Sequence, residues 1–397
     1  MTPSTRRYDL DWLRIIAFGL LIFYHIGMFY VSWDFHVKSM HAGPAIEPLM
    51  KLVNPWRMSV LFIISGVALR YAMDKASLGQ FVWARFWRLL LPLAVGIHVI
   101  VAPQSWLELL EKGEVTSGFW TFYTSYLAGS MDYSIIVPTW NHLWYLAYLI
   151  VYTLILAAAY PLVQQAAKRG EASDKISIRT LCAVGLIPIV IFALHENWLE
   201  DEFPSTHALV DDWGNHALYF TFTLFAFLSA KSKRVWQAID RLFVPACIMV
   251  VLLAGWQLFV WSLTVEEVGN LPHIEVWVLA HSMVEPIYAW ACILTAFGLT
   301  KRFLNRPSPA LSYMTEAIFP WYILHQTFIV VAGFWLTRQE LIAPVEFALV
   351  TLATILGCLA AHEFIIRRSH LLRPLFGLKK KRRNSTSTPW VDEISAA

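Results

Sequence analysis

Apolar runs of about 17 to 25 residues recur along the whole 397-residue chain, each long enough for a helix to cross a hydrocarbon core roughly 30 Å thick. Backbone polar groups in lipid must be satisfied within the spanning structure, which leaves α-helices or a closed barrel. A barrel would show segments of about ten residues alternating between apolar and polar, and no such alternation is visible. The chain is 57% hydrophobic and only 15% charged, more apolar surface than a soluble domain of this length needs to bury. The fold class expected is therefore all-α, a polytopic transmembrane helical bundle of about ten spans.

The spans fall at about 14 to 33, 54 to 73, 88 to 104, 142 to 163, 180 to 196, 214 to 230, 242 to 264, 276 to 299, 311 to 335 and 342 to 365. With these boundaries, 26 of the 31 Lys and Arg residues lie on one side, counting both termini, and the other five are Lys38, Lys51, Arg57, Lys112 and Arg338. The positive-inside rule then makes both termini cytoplasmic. The outer connections are acidic and aromatic: 196 to 213 carries six carboxylates and no Lys or Arg, and 105 to 141 mixes Trp, Tyr and Phe with small polar residues. Residues 1 to 378 read as one transmembrane domain, and 379 to 397 as a basic cytoplasmic tail held near anionic membrane lipid. The first run is followed by no cleavage site of small residues and reads as an uncleaved span.

Composition also narrows the chemistry. A formal net charge of +3 is too small to imply nucleic acid. The four cysteines lie far apart inside apolar runs, and no histidine pair has the spacing of a zinc helix, so no metal site is expected. Nucleophile elbows and phosphate loops are absent too.

What remains are ionisable groups at membrane depth, which are by default functional candidates. Ten residues, none charged, separate Arg14 from His25. Eleven residues of helix rise about 16 Å, so an Arg at the inner surface places that imidazole near mid-membrane. The alternative is a histidine bonded to a neighbouring helix for packing alone. Arg85 and Arg88 share a helical face at the cytoplasmic mouth of span three, where they could clamp phosphate or anchor to lipid. Ser65 and Gly66 form a small-residue patch that admits a close helix or a bound chain. Arg57 lies near the outer end of span two, where it lines an outward cavity or snorkels. His281 and Glu285, four apart, share a face on which a carboxylate raises imidazole basicity. His325 lies in span nine, and span four opens with His142 and Trp144 on the outer side, where His142 could meet His25 or His325. This inventory suits general-base transfer of a group from a phosphate-bearing carrier to a hydroxyl. A transporter or flippase using the same polar path is the competing reading, although the internal symmetry common in transporters is not seen.

These residues resemble the signature of the acyltransferase 3 family. Arg14 and His25, preceded by Leu10-Asp11-Trp12-Leu13, are similar to its Arg-x10-His motif, Ile63-Ile64-Ser65-Gly66 to its Phe-Leu-Ser-Gly segment, and Arg85-x-x-Arg88 to its Arg-x-x-Arg motif. His142-Leu143-Trp144-Tyr145-Leu146 and Tyr322-Ile323-Leu324-His325 resemble two later motifs. The resemblance implies a bacterial inner-membrane, multi-pass O-acyltransferase. Acyl-CoA would be the donor, an acetyl- or succinyl-class group would be transferred, and the acceptor would be a carbohydrate or glycan hydroxyl. It also implies that His25, with Arg14, belongs to the catalytic or donor-binding centre and that Arg85 and Arg88 lie near the donor phosphates. The residues themselves add His325 and Asp11 as candidates for the catalytic centre, Ser65 as a donor contact, and His142, Trp144, Arg57, His281 and Glu285 as candidate acceptor contacts.

Overall fold

The structure, a computed structural model, describes residues 6–116, 118–169, 176–269 and 273–379. Apart from Lys379, the expected basic tail lies outside the described residues. The helices run in the order α1 (Tyr8–Met28), α2 (Glu47–Met73), α3 (Leu78–Val95), α4 (Ala102–Glu111), α5 (Phe119–Ala128), α6 (Trp144–Arg169) and α7 (Ile178–Leu194). They continue with α8 (Glu200–Glu202), α9 (Trp213–Ser229), α10 (Lys233–Ser262), α11 (Val265–Gly269), α12 (Ile274–Phe303), α13 (Pro309–Leu336), α14 (Ala343–Ala360) and α15 (Leu372–Leu375). Among the described residues, nine helical segments are long and apolar enough to cross a membrane. The remaining expected span corresponds to α9, a 17-residue helix packed along α2.

The bundle is layered around α1. That helix packs on α2, α12 and α13, while α7, α10 and α14 turn most of their apolar side chains outward. An outward apolar face costs nothing in lipid, so the peripheral helices need no amphipathic stripe. The inner helices instead pack closely through small residues. At Gly66 on α2 a Cβ would collide with the Thr223 carbonyl of α9, which explains why Ser65-Gly66 stands there. The patch admits a helix, and Ser65 Oγ is 2.6 Å from Tyr145 Oη.

Two expected boundaries change. Span three begins at Leu78 and not near residue 88, because Ser77 in extended conformation starts a helix that Arg85 and Arg88 simply continue. Both arginines therefore lie within α3, two to three turns after its start. The outer stretch 105 to 141 folds onto the bundle: α4 and α5 bury Leu109, Phe122, Tyr126 and Val137 in a small cluster of their own. The turn Gly96–Ile100 before α4 is π-helical, and such a widened turn leaves carbonyls unclaimed by the helix. Tyr126 Oη donates to Ile97 O at 2.7 Å, and Thr327 Oγ1 donates to Ile100 O at 2.7 Å.

Candidate active site

Three helices bring their histidines together. His25 on α1 and His325 on α13 meet with Nδ1 and Nε2 2.7 Å apart, their rings nearly parallel. His142, in the 3-10 turn Asn141–Leu143 that leads into α6, stands edge-on to both, with ring centroids 6.3 Å from His25 and 5.1 Å from His325. The backbone fixes the tautomers. His325 Nδ1–H donates to Tyr322 O at 2.7 Å, so its Nε2 is an acceptor. His25 must then donate from Nδ1, and its Nε2 carries the lone pair. His142 donates from Nε2 to Ile323 O at 3.1 Å, leaving Nδ1 as a buried acceptor with no protein partner. Tyr322 Oη completes the frame by donating to His142 O at 2.7 Å. His325 thus sets the tautomer of His25, leaving His25 Nε2 without a proton.

His25 and His142 line a cavity of about 390 Å³ whose rim comes from the outer connections: Phe35, His36, Thr139, Trp140, Thr206 and His207. Trp144 closes one side, its ring 4.7 Å from that of His207 and 5.7 Å from that of Tyr219. Burial holds His207 below the ordinary histidine range, against the pull of Asp212, so it enters the cavity wall as a neutral imidazole. Arg57 also lines this cavity. Its guanidinium lies 3.6 Å over the Tyr24 ring, donates to Asn54 O at 3.0 Å and leaves Nε buried without a partner. None of the side chains lining the cavity is acidic.

A polar network along one wall of the cavity was not legible from the sequence motifs. His36 Nδ1–H donates to Glu108 at 2.5 Å, Gln326 Nε2 donates to His36 Nε2 at 2.8 Å and to Gln104 Oε1 at 3.1 Å, and Asn141 Nδ2 donates to the same Gln104 oxygen at 3.0 Å. These residues come from an outer loop and three separate helical segments. The only signal for them was Gln326 directly following His325.

On the cytoplasmic side, by the charge asymmetry, Arg85 and Arg88 line a second cavity of about 570 Å³. Arg85 lies within electrostatic reach of Arg88, Tyr145 and Arg14. Asp11 pairs with Arg6 at 2.9 Å and with Arg14 at 3.5 Å, while the Nε atoms of Arg14 and Arg85 are buried without partners. Unpartnered guanidinium nitrogens inside a protein are costly unless a ligand satisfies them. Between the two cavities stands an aromatic ladder: Tyr145 is 6.0 Å from Phe18, Phe18 5.0 Å from Tyr322, and Tyr322 6.1 Å from His325.

Not every expected residue arrives at this centre. Ser65 touches Tyr145 and is absent from both cavity walls. His281 and Glu285 line a separate cavity of about 450 Å³ with Glu196, Glu200, Trp256 and Trp277. Their spacing sets a common helix face, but that face of α12 looks toward α7 and α10 and away from α1.

Comparison with known proteins agrees with this architecture. A family model described as an acyltransferase domain matches residues 7–363. Glucans biosynthesis protein C of Escherichia coli strain K12 is 23% identical over 355 residues, covering 84% of this chain and 85% of the relative. The proteins of the same name from Escherichia coli O157:H7 and O9:H4 (strain HS) align with the same identity and coverage. No solved structure matches the chain. A multi-pass bundle with paired histidines at its centre, matched by one family model over nearly its whole length, belongs to the acyltransferase 3 family, and the protein is a membrane-bound acyltransferase.

Proposed function

We propose that this acyltransferase takes its acyl group from acyl-CoA on the cytoplasmic side of the bacterial inner membrane and delivers it to a hydroxyl of a glucan or related glycan. The observation that carries the reading is His25: one nitrogen is committed to His325, and the other is left as a free base on an outer cavity large enough for a sugar residue. The acceptor hydroxyl would lose its proton to His25 Nε2 as its oxygen attacks the thioester carbonyl carbon. The carbon–sulfur bond breaks, and the imidazolium returns the proton to the departing CoA sulfur. Throughout, His25 Nδ1–H keeps its bond to His325, which spreads the transient charge.

Arg85 and Arg88 would hold donor phosphates, with Arg14 completing the positive inner end of the path. The thioester arm would pass along the rings of Tyr145, Phe18 and Tyr322, which must shift to admit it. The sugar would rest against Trp144 and its neighbouring rings, with His142 Nδ1 accepting a second hydroxyl. The glucan acceptor is supported by the name of the Escherichia coli relatives. Arg57, in a cavity without a carboxylate, favours an acyl group that carries its own negative charge, hence the succinyl over the acetyl member of the class.

The test is incubation of purified protein in lipid nanodiscs with labelled acyl-CoA and glucan. Free CoA thiol should appear only with acceptor present, and the label should move into the glucan. Movement of label across the bilayer without release of CoA would replace the enzyme reading with transport.

A further inference from the structure

The cytoplasmic cavity has a wall that the signature motifs do not reach. After α15 the chain turns at Gly377 and lays Gly377, Leu378 and Lys379 along α3, beside Arg88 and opposite Lys75 and Gln80. This strap is tied at several points. Arg88 Nε donates to Gly377 O at 3.1 Å, Leu378 N donates to Arg373 O at 2.8 Å, and Arg373 Nε donates to Lys379 O at 2.7 Å. Arg373 is itself anchored to Glu316 of α13 at 2.9 Å. Gly377 has φ +72°, a left-handed conformation, and a Cβ there would meet the Phe319 ring, so glycine is required at the bend.

The side chains that the strap completes are all of one sign. Lys75, Arg85, Arg88 and Lys379 converge on a cavity whose walls are otherwise Gln80 and apolar residues such as Leu69, Phe81 and Trp87, with no acidic side chain among the described residues lining it. Cations placed together without counter-ions raise the energy of the empty site and lower that of the site holding a polyanion. Each guanidinium can hold a phosphate through two parallel hydrogen bonds. The added lysine, a compact charge on a flexible stem at the open edge, suits a further phosphate on the same ligand.

We propose that Lys379, held by the 374–379 strap, is a phosphate-binding residue of the cytoplasmic cavity and acts on the same ligand as Arg85 and Arg88. The proposal rests on the donor reading above. Burial, and next the Arg88 guanidinium, bring the Lys379 ammonium down to about 8. A bound phosphate reverses that shift, so binding draws in a proton when the free protein is near or above this pH. Affinity is therefore highest below about pH 8 and declines as pH rises through it.

CoA binding is measured by calorimetry on the full chain in nanodiscs of zwitterionic lipid. Lys379→Gln should weaken CoA about five-fold at pH 7, the scale of one charge-assisted contact at an exposed position. Lys379→Arg should restore it, and near pH 10 the wild type should fall to the level of Lys379→Gln. Equal affinity of wild type and Lys379→Gln at pH 7 overturns the proposal. A second arm uses nanodiscs containing phosphatidylglycerol: if Lys379→Gln reduces retention of that lipid and leaves CoA affinity intact, the phosphate belongs to a headgroup and the proposal fails. The donor reading has its own failure, namely CoA affinity unchanged in Arg85→Gln with Arg88→Gln.

Discussion

Removing His325 separates its role from that of His25. In His325→Ala the His25 Nδ1–H loses the acceptor 2.7 Å away, and among the described residues no other acceptor is bonded to that nitrogen. Two consequences follow. The tautomer of His25 is no longer enforced, and the imidazolium formed during transfer loses a charge-assisted hydrogen bond in a site shielded from bulk water. Such a bond is worth about 1.5 to 3 kcal/mol, which corresponds to a drop in kcat of roughly 10- to 150-fold. Because the bond strengthens only as charge develops on His25, KM for either substrate should change little. His325→Gln can offer its amide oxygen near the position of Nε2 and should recover part of the loss. The assay is acceptor-dependent release of CoA thiol by protein in nanodiscs, with thermal unfolding as the control for folding. Wild-type kcat in His325→Ala would refute the reasoning, and so would a rise in KM with kcat unchanged.

Other expectations follow from the same geometry. Arg57→Gln should lower kcat/KM for a succinyl donor about ten-fold more than for an acetyl donor, the scale of one charge-assisted hydrogen bond, and an equal loss for both would remove Arg57 from acyl selection. Gly66→Val should lower thermal stability, with an overpacking cost of about 1 to 3 kcal/mol, because its side chain meets the Thr223 carbonyl of α9; a midpoint equal to wild type would contradict the close approach. Cysteines placed at Ser130 and Ser232, in a background lacking the native four, should react with an impermeant reagent at 130 in intact cells and at 232 only after permeabilisation; the reverse pattern would invert the topology.

Much of this was readable from the chain because membrane spans write themselves in one dimension. Arg14 and His25 share a helix, so their separation is a matter of rise per residue. Which imidazole faces which is not. His25, His142 and His325 come from three helices, and their meeting depends on packing angles that the local pattern does not encode. His281 and Glu285 show the limit: four-residue spacing puts two side chains on one face, but only the neighbouring helices decide what that face sees. The network of His36, Glu108, Gln326 and Gln104 was hidden for a related reason. Each member is an ordinary polar residue, His36 in a loop and the others on separate parts of α4 and α13, and only the fold of the outer segment onto the bundle makes them partners. Of the aromatics in the long outer stretch, Phe122 and Tyr126 are buried in a small core, which the composition of the stretch does not single out.

The account depends most on proton transfer at a single nitrogen, and His25→Ala addresses it directly. Acceptor-dependent acyl transfer by that variant, purified and shown to unfold at the wild-type temperature, should fall by about 10²- to 10⁴-fold, the usual contribution of a positioned general base, with CoA affinity at the cytoplasmic cavity retained. Turnover equal to wild type in the folded variant would contradict it.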